Sequence, residues 1–494
     1  MTGLAQLGGP IACVALGLVL VARTRRERLA GLGFALFGAS VLGASLAPHH
    51  HLLVLFGGVI LFVAVALGLA AVFRSYPWLL PALALVCVPI RIGVHLGSSH
   101  SKLLVPLYVV IAGATVLLVW DLMAGDDRVR ELGRMSWPLA LLVAWTGVSL
   151  LWTRDVHDGA VEVLAFYVPF TLVAIGVARL PWQELGMRAL YALVTLMGIV
   201  FAIVGFYQYQ TRDIFQNPKV ITANAYAPFF RVNSVFWDPS VYGRFLVLAM
   251  LPSVVLLALG RLGRLTAAAV TVLVVMWAGL LISFSQSSFF ALLVVVAAGL
   301  FLFWRWKSLA VVIAAAAVLA GIAVAQPQVR QRLQHHTIHG LNEASSGRAS
   351  LVAQGIRIAE ANPIRGVGVG GFKKAYAKRV HLKGKEPKTA ASHNTAVTVA
   401  AETGVPGLVL FAWLLGAAFG QAFRGRRSAL SLAAGIGLAA IFCHSLFYNA
   451  FFEDPMTWGL FGLAALGAPV ALARASWPVV PPPREQRERE AVPA

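Results

Sequence analysis

Residues 265–304 read LTAAAVTVLVVMWAGLLISFSQSSFFALLVVVAAGLFLFW, forty positions without a Lys, Arg, Asp or Glu. Two apolar runs, 265–283 and 287–304, flank a short polar break around Ser285-Gln286-Ser287. Runs of about 17 to 25 apolar residues carry a helix across a hydrocarbon core of about 30 Å, so the stretch predicts two spans joined by a tight turn. Moving outward, similar runs recur at 4–22, 29–47, 52–73, 77–94, 103–122, 136–152, 160–178, 186–207, 241–259, 308–326, 394–419, 428–448 and 456–473, which makes fifteen in all.

Composition agrees. Hydrophobic residues make up 59% of the 494 positions and charged residues 12%, with a mean hydropathy of +0.79. That balance excludes a soluble globular chain. Backbone polar groups cannot go unpaired in lipid and no alternating barrel pattern is present, so the spans are helices. The expected fold is an all-α polytopic membrane protein of about 12–15 transmembrane helices, forming one integral membrane domain over 1–494.

Arginine-rich short connections orient the bundle: Arg23 to Arg28, Arg74, Arg128 to Arg134, Arg179 with Arg188, Arg261 with Arg264, Arg305 with Lys307, and Arg424 to Arg427. The connections between them are poor in Lys and Arg, so the basic face is expected to be cytoplasmic, with the N-terminus outside and the C-terminus inside. The first span is expected to be retained, because an Arg cluster follows it and no basic segment precedes it. Pro481-Pro482-Pro483 opens a charged stretch, and 478–494 is expected to be a disordered cytoplasmic tail. Cys13, Cys87 and Cys443 lie in spans and offer no disulfide framework.

Two long connections fall on the outer side, 208–240 and 327–392. The second is a large extracytoplasmic loop with twelve Lys and Arg against Glu343, Glu360 and Glu386. Long loops escape the positive-inside rule, so this excess needs another cause. Adhesion to anionic headgroups is one reading; a phosphate site gripped by arginine forks is the other. Within the loop, Ser345-Ser346-Gly347-Arg348 leads into Leu351, Val352, Ile356 and Ile358, a helical pattern stopped at Asn362-Pro363. Arg348 falls at its start, where free N–H groups already favour an anion. Gly366 to Gly371 lacks the preceding strand of a nucleotide-binding turn, and a close backbone approach fits it better.

The loop re-enters the membrane through Ser392-His393-Asn394, with Glu402-Thr403-Gly404-Val405-Pro406-Gly407 following on the same helix. His393 is either a capping residue or a base. Pro406 and the glycines should break the helix, and Glu402 needs a partner there. Other histidines, His49 to His51, His95, His100, His335, His336 and His339, scatter without zinc spacing. His444 reads as an interhelical hydrogen bond.

The series RVNSVFWDPS (231–240), SQSS (285–288), SGRASL with ANPIRGVGVGGF (346–372) and SHNT with AETGVPGL (392–408) resembles the O-antigen ligase and O-antigen polymerase superfamily. The resemblance covers about 230–410. It implies a membrane glycosyltransferase with a polyprenyl-diphosphate-linked glycan as donor, a histidine at the His393 position acting on the acceptor hydroxyl, outer-face arginines on the diphosphate, and neither metal nor cofactor. Arg231 matches the arginine before the Asp-Pro motif. Ser288 departs from the pattern, because many relatives carry a second arginine there, and Ser240 replaces a common Asn.

The chemistry is coherent on its own terms. A leaving diphosphate needs cationic donors, and the attacking hydroxyl needs a base of near-neutral pKa. The expected assignment is therefore His393 as general base of an inverting displacement. Arg231 and Arg348 would bind the diphosphate, with Arg244 or Arg365 replacing the absent arginine. Asp238, Glu402 and Asn394 would be supporting residues. The acceptor would be a lipid, glycan or protein hydroxyl outside the cytoplasmic membrane, with membrane lipids as further partners and no nucleic acid. A ligase, a polymerase joining lipid-linked repeats, and a polysaccharide or lipid exporter remain the readings in play.

Overall fold

In a computed structural model, residues 2–46, 52–96, 99–215, 217–226, 229–305, 310, 313, 347–381, 391–424 and 429–466 are described. The chain is an all-α polytopic membrane protein. Its helices are α1 (Thr2–Val21), α2 (Arg25–Leu46), α3 (Leu52–Ser75), α4 (Leu79–Cys87), α5 (Val105–Met123), α6 (Ser136–Val148), α7 (Val156–Glu162), α8 (Val168–Arg179), α9 (Glu184–Thr211), α10 (Pro218–Tyr226), α11 (Pro239–Ala258), α12 (Thr266–Ser283), α13 (Gln286–Trp304), α14 (Arg348–Ala361), α15 (Phe372–Arg379), α16 (Thr395–Arg424), α17 (Ala429–Ser445) and α18 (Pro455–Ala465). Among the described residues ten helical segments are long and apolar enough to cross a membrane, and two shorter apolar helices, Gln286–Leu302 and Ala429–Ser445, join them. The expected span at 308–326 (but for residues 310 and 313), the loop segments 327–346 and 382–390, and the tail lie outside the described residues.

One expected span is corrected. Residues 77–94 do not form a full helix: α4 stops at Cys87, and a β-hairpin follows, β1 (Ile92–Leu96) pairing antiparallel with β2 (Ser99–Leu103). Pro89 supplies no N–H to continue the helix, and the run Val88, Ile90, Ile92, Val94 is β-branched at alternate positions. The chain nevertheless crosses here. Arg74, at the end of α3, stacks its guanidinium 4.7 Å from the Trp120 ring near the end of α5. Both helices therefore run the same way, and the half-helix with its hairpin makes the return.

The arginine-rich connections gather at one end of the bundle. Arg28 donates to Glu131 at 2.5 Å, Arg179 pairs with Glu131 and, at 2.7 Å, with Asp126, and Arg128 reaches Asp126 at 2.6 Å. Burial works against the Asp126 carboxylate, but the Arg128 hydrogen bonds and Arg179 charge outweigh it and hold the group at about 2. α7 passes into α8 through a wide turn at Val163–Tyr167, ahead of Pro169, whose missing N–H and ring such a bulge accommodates.

Two apolar cores form. One joins α1, α2, α5, α6, α8, α16 and α18 around Trp458, Phe461 and Phe451. The other joins α9, α11, α12, α13 and α17 around Tyr242, Phe245 and Met276.

Candidate functional site

Opposite the arginine cluster, Ser392-His393-Asn394 starts α16. Asn394 caps the helix: its Oδ1 accepts the Val397 N–H at 3.1 Å, and its Nδ2 donates to the Leu446 carbonyl at 3.2 Å. Ser392 Oγ donates to the Asn394 carbonyl and shares a 2.8 Å hydrogen bond with Thr398 Oγ1. His393, squeezed between two clamped neighbours, takes a left-handed φ of 62°. The capping alternative thus falls to Asn394, and the half-buried imidazole stands clear of the knot. Backbone strain of this kind clusters at functional sites. Burial lowers the imidazole pKa below 6.5, the nearby Arg348 lowers it further, and Asp238 opposes them.

Arg231 enters from the segment before α11. Asn224 clasps its main chain, accepting the Arg231 N–H at 3.1 Å and donating to its carbonyl at 2.9 Å. Its Nε donates to the Ser283 carbonyl at 3.2 Å, at the end of α12. Asp238 caps α11 by accepting the Ser240 N–H at 2.7 Å, with Pro239 in the first turn. Arg348 opens α14 behind Gly347. Burial lowers the Arg231 pKa, Asp238 resists, and the Arg348 charge adds to the lowering. The fields therefore link His393, Arg348, Asp238 and Arg231, four residues from three distant segments.

The positions expected to supply another arginine behave differently. Ser288 Oγ bonds to Ser285 Oγ at 2.8 Å and donates to the Ser240 carbonyl at 3.3 Å. Beside it, Ser287 Oγ lies 3.0 Å from His444 Nε2, the interhelical bond expected of that histidine. Arg244 is buried against Asp454, Nε to Oδ2 at 2.7 Å, and donates to the Ala450 carbonyl at 3.4 Å. Arg365 is exposed, with its guanidinium 5.9 Å from the Trp152 ring. One is committed to a carboxylate and the other lies on an indole.

Glu402 is a partner of the broken helix. Gly404, with φ 71° and ψ −172°, interrupts α16. The returning turn uses the freed groups: Val367 N–H donates to the Ala401 carbonyl and Gly368 N–H to the Glu402 carbonyl, both at 2.9 Å, and Val405 N–H donates to the Pro363 carbonyl at 2.7 Å. The Glu402 side chain accepts the Phe372 N–H at 3.2 Å, at the start of α15. A Cβ on Gly366 would sit 2.2 Å from the Glu402 carbonyl oxygen, at a φ of 64°. Gly366→Ala should therefore cost about 2–3 kcal/mol through overpacking and backbone strain. Thermal unfolding in detergent checks this; an unchanged midpoint would remove the close-approach account.

Sequence reasoning missed Tyr448, Glu453, Asp454, Glu162 and Arg91. The Tyr448 ring lies 6.4 Å from that of His393 and 5.6 Å from that of His444. Glu162, Glu402 and Glu453 line a chamber of about 50 Å³ whose wall includes Ala391 and Thr395, on either side of His393. The one available signal was the acidic pair Glu453-Asp454 before Pro455, which repeats the Asp-Pro cap of Asp238-Pro239.

Residues 271–412 match the model of the family described as O-Antigen ligase. The match takes in Ser288, Arg348, the glycine turn, His393 and the break in α16, and it supports the resemblance to the O-antigen ligase superfamily. Arg231 and Asp238 lie before it. No curated protein matches the chain.

Proposed function

We propose that this protein moves a glycan from a polyprenyl diphosphate to an acceptor hydroxyl on the outer side of the cytoplasmic membrane. The match over 271–412 supports a membrane glycosyltransferase of the ligase or polymerase type. The donor and mechanism draw support above all from the charges of Arg348 and Asp238, which act on both Arg231 and His393.

In this reading His393 removes the acceptor proton as the hydroxyl oxygen attacks the anomeric carbon. The new C–O bond forms, the bond to the diphosphate oxygen breaks on the opposite face, and the configuration inverts. Arg231 and Arg348 hold the phosphate oxygens and take up the developing charge. An apolar cavity of about 250 Å³ lies between the two cores, lined by residues including Leu85, Val88, Trp182, Leu251, Met456 and Leu460. It suits an isoprenoid tail, because transferring apolar chain into such a lining requires no polar partner.

Purified protein given a lipid-diphosphate glycan and no ATP should release polyprenyl diphosphate only when an acceptor is supplied. Flux of intact donor across vesicles without bond cleavage would sink the proposal in favour of an exporter. A second lipid-linked repeat serving as acceptor would identify a polymerase.

The pH dependence follows from the His393 environment. The base works as neutral imidazole, so kcat/KM should fall on acidification, with its limb below pH 6.5. Arg348→Gln removes a charge that disfavours imidazolium and should move that limb upward; Asp238→Asn should move it downward. Identical limbs in all three proteins would separate His393 from these neighbours.

A further inference from the structure

If the donor is a diphosphate, its oxygens accept more hydrogen bonds than two arginine forks donate, and neither expected replacement for the arginine absent at Ser288 is tied to the site. Arg244 is sealed against Asp454. Arg365 is exposed beside Trp152, and its charge is not among the leading ones acting on Arg231 or His393. The cations that do face the site come from the hairpin that replaces the upper half of a span.

Arg91 immediately precedes β1, and Lys102 lies in β2 opposite Gly93. Arg91 Nη1 makes a long hydrogen bond, 3.5 Å, to the Lys102 carbonyl, which holds the two residues at the open end of the hairpin. Lys102 Nζ lies 5.0 Å from the centroid of the Trp237 ring. Trp237 is fixed by Asn217, whose Nδ2 donates to its carbonyl at 2.7 Å, and it precedes the Asp238 cap. On the other side, the Arg91 charge reaches Tyr448 and Glu453. Burial raises the Glu453 carboxyl, and Arg91 is the foremost influence opposing that rise. Tyr448 in turn faces the His393 ring.

The hairpin therefore sets two cations on the rim of the site, beside Asp238 and Tyr448. We infer that Arg91 and Lys102 complete the diphosphate-binding site, taking the charge that an arginine at position 288 would otherwise take. This rests on the diphosphate-donor reading above. The two cations suit different tasks. Arginine offers a planar fork to phosphate oxygens, whereas lysine is a compact charge on a flexible stem. Lys102 is exposed and Arg91 half-buried, so neither must leave a sealed ion pair to meet a ligand.

Farnesyl diphosphate, bound to the full-length protein in nanodiscs, is the probe. Arg91→Gln and Lys102→Gln should each weaken binding roughly 10-fold or more, the scale of losing a hydrogen bond to a charged group, and flatten its salt dependence. Arg91→Lys should recover part of the loss. In turnover, both glutamine variants should raise the donor KM with little change in kcat, and unchanged thermal midpoints exclude misfolding. If R91Q/K102Q binds the probe and turns over as wild type while Arg231→Gln does not, the hairpin has no such role and the donor reading survives. If wild-type protein fails to bind the probe, the donor reading falls and takes this inference with it.

Discussion

His393→Ala should lower transfer about 100- to 10,000-fold, the usual contribution of a positioned general base, while leaving farnesyl diphosphate binding and the thermal midpoint near wild type. The size of the loss follows from how the described neighbours are engaged, as Asp238 is by the α11 cap. Tyr448 is the nearest ring, but burial pushes its phenol up and away from neutral titration. His444 is fully buried and tied at Nε2 to Ser287 and the Ser240 carbonyl. Binding should survive because His393 lies outside the cation set, and stability should survive because Ser392 and Asn394 make the local hydrogen bonds. Removing a left-handed histidine relieves no strain, since alanine carries the same Cβ. Acceptor-dependent release of polyprenyl diphosphate is the measurement, and a normally expressed variant with full activity would remove the mechanism.

Asp454→Ala should be the most destabilising single change at the site, by about 3–5 kcal/mol, because it strands a buried guanidinium. Asp454 has two roles. Its Oδ2 meets Arg244 Nε at 2.7 Å, and its Oδ1 accepts the Met456 N–H at 2.9 Å to cap α18. Both side chains of the ion pair are about 5% exposed, so water cannot replace the lost partner. Asp454→Asn keeps the cap and should cost less. Combining Arg244→Met with Asp454→Asn removes both charges and should recover much of the loss. Thermal unfolding of the three proteins in detergent separates these outcomes; equal midpoints for D454A and wild type would mean that the pair is not buried in the membrane.

Most spans among the described residues were legible because a long apolar run has one stable arrangement in lipid. The run at 77–94 failed the same test: apolar length does not register a proline followed by alternating β-branched residues, and Arg91 was consequently read as part of a span. The helix start at Gly347-Arg348 and the stop at Asn362-Pro363 were legible because a local rule applied to each, whereas the Asp238-Pro239 cap was read only as a family motif. Arg231 and His393 were joined through the family resemblance, and Arg348 was added from its place at a helix start, because nothing local joins residues so far apart. Arg244 with Asp454, and Ser287 with His444, are cross-bundle pairings with no periodic signature, so sequence could name Arg244 as a cation but not see it already engaged.

The turn at 363–371 is stitched to two parts of the chain made at different times. Trp152, Thr153 and Arg154, near the start of α7, donate to the carbonyls of Arg365, Val369 and Val367 respectively. The far side of the same turn is completed by Ala401, Glu402 and Val405. During synthesis the turn can therefore lean on the early helices but cannot close until α16 has followed it into the bilayer. A chain halted before Glu402 would hold the early helices, both arginines and the histidine, yet lack the backbone groups that close the turn. Completion of the turn thus depends on α16, which is made after it.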